Sequence, residues 1–110
     1  MDDRRFGAQV VEAPDDVRLR LRGDLDSRAD ERLSDAYGEV TAIGPSKLTL
    51  DFQDVGYINS TGIALVVRLL ADARRDGRGV RAIGLTPHYR EIFRITRLSD
   101  FMDIVEGDAA

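Results

Sequence analysis

Cysteine is absent from the sequence, and histidine occurs once, as His88. Without cysteine the chain forms no disulfide, offers no thiolate nucleophile and builds no cysteine metal site. A single histidine also excludes a metal centre that needs a pair of histidines. The sequence therefore predicts a protein that uses neither a metal nor a cofactor.

Long apolar runs are missing as well. No segment approaches the roughly 18 consecutive apolar residues of a membrane span, and the first residues, MDDRRFGAQ, lack the apolar core of a signal peptide. We therefore expect a cytoplasmic protein without membrane association. The net charge of -4 makes nonspecific binding to nucleic acid unfavourable and suits a protein partner with basic patches.

The length of 110 residues predicts one domain, residues 1–110, with an ordered core from about residue 8 to residue 105. Residues 1–7 are expected to form a loose start and residues 106–110 a frayed tail.

The stretch 48–76 combines two hydrophobic periods. Leu48, Leu50 and Phe52 alternate with polar residues, which is typical of a strand with one buried face that ends there. From Thr61 onward apolar residues recur at helical spacing, which predicts an amphipathic helix. The predicted buried residues of this helix are Ile63, Val66, Val67, Leu70 and Ala73.

The tetrapeptide Asn59-Ser60-Thr61-Gly62 stands where the pattern changes from strand to helix. Asn, Ser and Thr accept hydrogen bonds from the free N–H groups at a helix start, so the segment is a natural N-cap. Gly62 needs a further reason, because glycine in a first turn costs about 1 kcal/mol relative to alanine and indicates close approach of another surface. The pattern favours a cap and leaves a functional role for the hydroxyls open.

A catalytic role for Ser60 would require a base within hydrogen-bond reach. The one candidate is His88, in the first turn of the following predicted helix, and no Gly-x-Ser-x-Gly motif is present. A lone histidine at a helix start is typical of a surface residue. We therefore predict that the protein is not an enzyme.

The remaining elements follow from the same signals. Capping residues precede two further helices, Asp26 or Ser27 before the first and Thr86-Pro87 before the last, and Asp76-Gly77 ends the central one. The predicted strands are 8–12, 17–22, 48–52 and 80–85, the predicted helices are 28–40, 61–76 and 87–98, and a last short strand or turn lies within 99–105. Gly23-Asp24-Leu25-Asp26-Ser27 is predicted to break the second strand.

This order predicts an α/β fold with a mainly parallel sheet of four or five strands joined by right-handed crossovers. Two strands alternate cleanly, so the helices are expected mainly on one face. Arg18, Arg20 and Arg22 then project from the other face of the second strand. We favour a solvated sheet face for them over a binding patch.

These features together resemble the STAS domain family, in particular the bacterial anti-sigma factor antagonists. The resemblance covers nearly the whole chain. It comprises Gly23-Asp24-Leu25-Asp26, the strand 48–52, the motif VGYINSTGI at 55–63, and the segment 83–98 in which Thr86-Pro87 opens a helix. It implies the mixed, mainly parallel α/β fold of that family.

The resemblance also implies a mechanism. In the family, the first hydroxyl residue of this motif is phosphorylated by a partner anti-sigma factor that is also a serine kinase, and a separate serine phosphatase removes the phosphate. By position the acceptor is Ser60, with Thr61 beside it and Gly62 leaving room for the partner backbone. The implied partner-binding residues are Asp24, Asp26, Asn59, Ser60, Thr61, Gly62 and Ile63.

Asn59 departs from the family pattern, which has an acidic residue immediately before the acceptor. Either a related kinase tolerates asparagine, or this member binds its partner without being an efficient substrate. STAS-like domains also serve as non-enzymatic subunits of lipid-transport, transporter or stress-sensing complexes. That role, without phosphorylation, is the alternative expectation.

Overall fold

The computed structural model describes residues 4–105, which form five strands and three α-helices. A short 3₁₀ helix precedes the first α-helix, and another follows the last. The elements are β1 (Gly7–Glu12), β2 (Val17–Leu25), a 3₁₀ turn (Ser27–Ala29), α1 (Asp30–Ile43), β3 (Lys47–Ile58), α2 (Ser60–Arg75), β4 (Gly79–Ile83), α3 (Pro87–Ile95), a second 3₁₀ turn (Leu98–Asp100) and β5 (Asp103–Ile104).

The strands lie in the order β1-β2-β3-β4-β5. β1 pairs with β2 antiparallel, and every other pair is parallel. A hairpin can join the first two strands, whereas each parallel pair needs a crossover, which α1, α2 and α3 provide. The predicted mixed, mainly parallel α/β fold is confirmed.

One face of the sheet is apolar. Val17, Leu19 and Leu21 of β2 are buried, while the arginines between them are exposed. Buried residues of α1, α2 and α3 join these side chains in one hydrophobic cluster, including an edge-to-face contact between Phe52 of β3 and Phe93 of α3. The helices therefore cover this inner face, and the outer face of the sheet carries the polar side chains.

Two strands are longer than predicted. β2 does not break at Gly23 but continues to Leu25, and β3 does not end at Phe52 but continues to Ile58. The two extensions pair with each other in parallel, across register shifts on either side of Gly23. This long-range pairing replaces the predicted loop.

The helix signals were mostly correct. Asp26 caps the first 3₁₀ turn, Gly77 adopts a left-handed φ of 71° just after α2, and the Thr86 side chain accepts a hydrogen bond from the Tyr89 N–H. The last predicted helix was too long, because α3 ends at Ile95 and the chain reverses through Arg97.

Two predictions about burial were wrong. Val67 was expected inside, but its side chain is 46% exposed. Phe6, which was expected in a loose start, is 3% exposed and belongs to the core.

The predicted frayed tail, residues 106–110, lies outside the described residues. Within residues 4–105, no helix combines the length and the hydrophobicity needed to cross a membrane.

A polar network closes the end of the domain opposite the start of α2. The buried Arg78 guanidinium donates to the Pro45 carbonyl at 2.8 Å and to the Tyr37 hydroxyl at 2.6 Å. The Tyr37 hydroxyl donates in turn to Asp76 at 2.8 Å. Burial, followed by this hydrogen bond, raises the pKa of Tyr37. The network ties α1 to the turns before β3 and β4.

Replacing Arg78 with alanine should lower the free energy of unfolding by about 2–4 kcal/mol, because the substitution removes a buried side chain that donates to the half-buried Pro45 carbonyl and Tyr37 hydroxyl. Arg75→Ala is the matched control, since Arg75 forms an ion pair with Asp72 and its side chain is 73% exposed. The control should cost less than about 1 kcal/mol. Urea denaturation measures both values, and equal losses would contradict a structural role for the network.

Candidate functional site

The start of α2 is capped by Asn59. Its backbone is extended, with φ -97° and ψ -177°, and its side-chain Oδ1 accepts a hydrogen bond from the Gly62 N–H at 2.9 Å. The Asn59 carbonyl then accepts the first helical bond, from the Ile63 N–H at 3.0 Å. Asn59 therefore performs the capping that the sequence assigned to the tetrapeptide as a whole.

Ser60 and Thr61 are the first two residues of α2, and both are exposed. Neither hydroxyl has a hydrogen-bond partner among residues 4–105. Because Asn59 supplies the cap, the helix does not need these hydroxyls for its start. The Ser60 hydroxyl is thus open to solvent at the positive end of a helix of 16 residues.

Gly62 is buried against the end of β2. A Cβ atom at this position would lie 1.9 Å from the Leu25 carbonyl oxygen and 2.7 Å from its carbon. The predicted close approach is confirmed, but the neighbouring backbone is Leu25 of the same chain. The absent side chain therefore makes room for β2, and room for a partner backbone at Gly62 stays a prediction.

Two hydrogen bonds hold the connection between β3 and α2. The Asn59 N–H donates to the Leu25 carbonyl at 3.3 Å, and the Ile58 N–H donates to the Tyr89 hydroxyl at 3.0 Å. No local sequence pattern could have placed the Tyr89 hydroxyl beside Ile58, since 31 residues separate the two.

The two predicted acidic residues differ in their surroundings. Asp26 accepts hydrogen bonds from the Arg28 N–H at 2.9 Å and from the Arg28 guanidinium at 2.7 Å. The bonds to Arg28 lower the pKa of Asp26 below its ordinary value of 3.8. Asp24 is half-buried at the register shift of β2, and its carboxylate makes no hydrogen bond or ion pair within residues 4–105. The hydrogen bond with Asp26 and, to a smaller extent, the charge of Asp24 raise the pKa of Arg28.

Ile63 and Tyr57 complete the surroundings. Ile63 is half-buried and packs against the core, so only part of it is available to a partner. Tyr57 pairs in register with Asp24, and 54% of its side chain is exposed. Tyr57 and Asp24 line an open groove beside the register shift, together with Asp54 and Gly56. No local sequence pattern marks Tyr57 as a contact residue.

A hydrolytic arrangement is not formed within residues 4–105. His88 is exposed, its ring contacts the Tyr89 ring at a centroid distance of 5.0 Å, and it makes no hydrogen bond to Ser60. The same part of the chain contains no cluster of acidic residues and histidine suited to a metal ion. The site is an exposed pair of hydroxyls at the start of α2, with Asp24 in the adjoining end of β2 and Asp26 directly after that strand.

The family model described as Mlab, STAS domain matches residues 8–106, which is most of the chain. The chain therefore belongs to the STAS domain family.

Several proteins of similar sequence or structure are named as anti-sigma factor antagonists. The anti-sigma-B factor antagonist of Staphylococcus aureus (strain NCTC 8325 / PS 47) is 25% identical over 89 residues, 81% of this chain and 82% of the relative. An anti-sigma factor antagonist from Mycobacterium paratuberculosis has a similar structure, with a TM-score of 0.77 at 20% identity over 96% of this chain and 90% of the other. The phosphorylated form of Bacillus SpoIIAA gives a TM-score of 0.67 at 19% identity over 93% and 92%. At these identities the structural likeness shows the STAS fold.

Proposed function

We propose that this protein is an anti-sigma factor antagonist. It binds an anti-sigma factor that is also a serine kinase, and phosphorylation of Ser60 switches it off. In the unphosphorylated state it sequesters the anti-sigma factor and frees the sigma factor for transcription. A serine phosphatase resets the switch. The protein acts in the cytoplasm, as a binding protein rather than an enzyme.

The state of Ser60 is the observation that most supports this proposal. Its hydroxyl is exposed and takes no part in the cap, because the side chain of Asn59 accepts from the Gly62 N–H. A kinase can therefore reach the hydroxyl and modify it without removing a bond that the fold uses. The names of the relatives and the phosphorylated state of SpoIIAA support the same role.

A phosphate on Ser60 is compatible with the fold for an electrostatic reason. It adds about -1.5 to -2 charges at the N-terminus of α2, where free N–H groups and the helix dipole stabilise anions. The same charge is costly in a closely packed interface that has lost its water. The switch therefore acts on binding and leaves the domain folded.

The proposed contact surface is the turn Asn59–Ile63 with the end of β2. Gly62 and Ile63 contribute mainly by fixing the backbone, since Gly62 is buried and Ile63 is half-buried. Asp24 offers a basic partner a carboxylate that makes no hydrogen bond or ion pair within residues 4–105. The charge of Asp26 is largely compensated by Arg28, so Asp26 contributes less attraction than the sequence alone indicated.

Phosphorylation should be specific to Ser60. After incubation with ATP and the anti-sigma kinases of the host, intact-mass spectrometry should find one added phosphate on the wild-type chain and none on Ser60→Ala. Thr61→Ala is the matched control, since Thr61 is also exposed in the first turn, and it should accept one phosphate. Phosphate on Ser60→Ala would contradict the assignment.

The Asn59→Asp variant restores the acidic residue that the family pattern has immediately before the acceptor, Ser60. Aspartate caps a helix about as well as asparagine, so the fold should persist and only the charge beside the acceptor changes. Faster phosphate transfer to this variant would show that Asn59 makes the wild-type chain a poorer substrate. Absence of transfer to either chain, with stable co-purification of a transporter ATPase, would favour the non-phosphorylated subunit role.

A further inference from the structure

The outer face of the sheet carries two arginines without partners. Arg18 and Arg20 of β2 are exposed, and neither makes a hydrogen bond or an ion pair with any residue in 4–105. Two other arginines near this face do have polar partners. Arg22 donates to the Arg5 carbonyl, and Arg81 lies 3.7 Å from Asp16. We call Arg18 and Arg20 the arginine row.

Asp51 of β3 is the acidic residue in register with Arg20. It is 6% exposed, and its Oδ1 accepts a hydrogen bond from the Gln53 N–H at 2.9 Å. No ion pair joins Asp51 to Arg20 within the described residues. The guanidinium groups of the arginine row are therefore exposed to solvent. They lie on the outer face of β2, which no helix covers.

A second unpaired surface lies on α1. Glu31, Asp35 and Glu39 are exposed, and none has a partner among the described residues. Spaced four residues apart, they follow one side of the helix, opposite the buried side formed by Leu33, Ala36 and Val40. We call these three residues the acidic stripe. Arg32 is the one basic residue of α1.

The two surfaces match in spacing as well as in sign. Residues i and i+2 of a strand are about 6.6 Å apart, and residues i and i+4 of a helix are about 6 Å apart. A helix laid along β2 on the outer face can therefore place successive carboxylates against successive guanidinium groups. Arginine is well suited to this contact, because its fork pairs with a carboxylate through two hydrogen bonds.

These surfaces cannot meet within one molecule. The buried side of α1 packs on the inner face of the sheet, so its acidic stripe points away from the sheet altogether. The arginine row points out of the opposite face. A contact between the two therefore requires a second copy of the chain.

We propose that the protein self-associates by docking the acidic stripe of one copy onto the arginine row of the next. The contact joins two different surfaces, so after one contact the first copy still has a free arginine row and the second still has a free acidic stripe. Such heterologous contacts produce rings or open chains rather than a closed pair. The inference is independent of the proposed function, because neither surface includes Ser60 or the turn Asn59–Ile63.

The association should be weak and sensitive to salt, since exposed ion pairs contribute little individually. Sedimentation velocity at about 1 mM protein should give a weight-average mass at least about twofold above the monomer in about 0.01 M salt, where the Debye length is about 30 Å. In about 1 M salt the Debye length falls to about 3 Å, and the mass should return to that of the monomer.

Charge reversal identifies the surfaces. One variant combines Arg18→Glu with Arg20→Glu, and a second combines Glu31→Arg, Asp35→Arg and Glu39→Arg. Each alone should remain monomeric in low salt, because like charges now face each other. An equimolar mixture should associate again, since each variant supplies the complement that the other lacks.

A control variant, Arg75→Glu with Arg94→Glu, makes the same charge change as the first variant on exposed helix positions elsewhere. It should associate as the wild type does, and circular dichroism should find all variants folded. The proposal is overturned by a monomeric wild type in low salt, by association of either reversed variant alone, or by a mixture that stays monomeric.

Discussion

Gly62→Ala should destabilise the protein severely, by about 3 kcal/mol or more, because the new methyl group has no space. It would lie 1.9 Å from the Leu25 carbonyl oxygen, which belongs to backbone and cannot rotate away as a flexible side chain would. Relief would require α2 to move from the end of β2. That movement would also lengthen the hydrogen bond from the Asn59 N–H to the same carbonyl.

Gly38→Ala is the matched control. Gly38 lies inside α1, and a Cβ atom there would meet no atom within 4 Å beyond the neighbouring backbone of its own helix. The same substitution should therefore raise the free energy of unfolding by about 0.5–1 kcal/mol, which is the helix-propensity gain of alanine over glycine. Thermal and urea unfolding measure both variants. Similar effects at the two positions would contradict the tight contact between α2 and β2.

Ser60→Asp should weaken binding to the anti-sigma factor by about tenfold to a thousandfold, which corresponds to about 1.4–4 kcal/mol. The carboxylate places a negative charge at the centre of the proposed contact surface, where a partner excludes water. The fold should be retained, since an acidic residue in the first turn of a helix interacts favourably with its dipole.

Ser60→Asn separates charge from size, because asparagine has nearly the shape of aspartate without its charge. Isothermal titration calorimetry should find most of the loss in Ser60→Asp and only a small loss in Ser60→Asn. Circular dichroism should find both variants folded. Equal losses would mean that bulk rather than charge controls the interface, and unchanged affinity in both would place Ser60 outside it.

The sequence predicted the elements of the site better than their connections. Local signals were sufficient where one residue type at one position decides the structure, as with Thr86-Pro87 at the start of α3. The lengths of β2 and β3 were underestimated, because the extensions around Gly23 and Tyr57 form by pairing across the chain. Hydrophobic alternation does not report such pairing.

The partners of the two predicted acidic residues also could not be predicted from the local sequence. Asp24 and Asp26 were both predicted to contact a partner, yet Asp26 is hydrogen-bonded by the Arg28 guanidinium, whereas Asp24 makes no hydrogen bond or ion pair within residues 4–105. The tetrapeptide Asn59-Ser60-Thr61-Gly62 was treated as a unit, whereas the structure gives its members separate roles. Asn59 caps, Gly62 allows β2 to approach, and Ser60 and Thr61 remain exposed.

The affinity of the wild-type chain for its anti-sigma factor, measured by calorimetry before and after stoichiometric phosphorylation, tests the central claim most directly. The kinase step should place one phosphate on Ser60, and the phosphorylated chain should keep its circular dichroism spectrum while its Kd rises by at least about tenfold. An unchanged Kd with phosphate on Ser60, or an unfolded phosphorylated chain, would contradict a switch that acts at the binding surface.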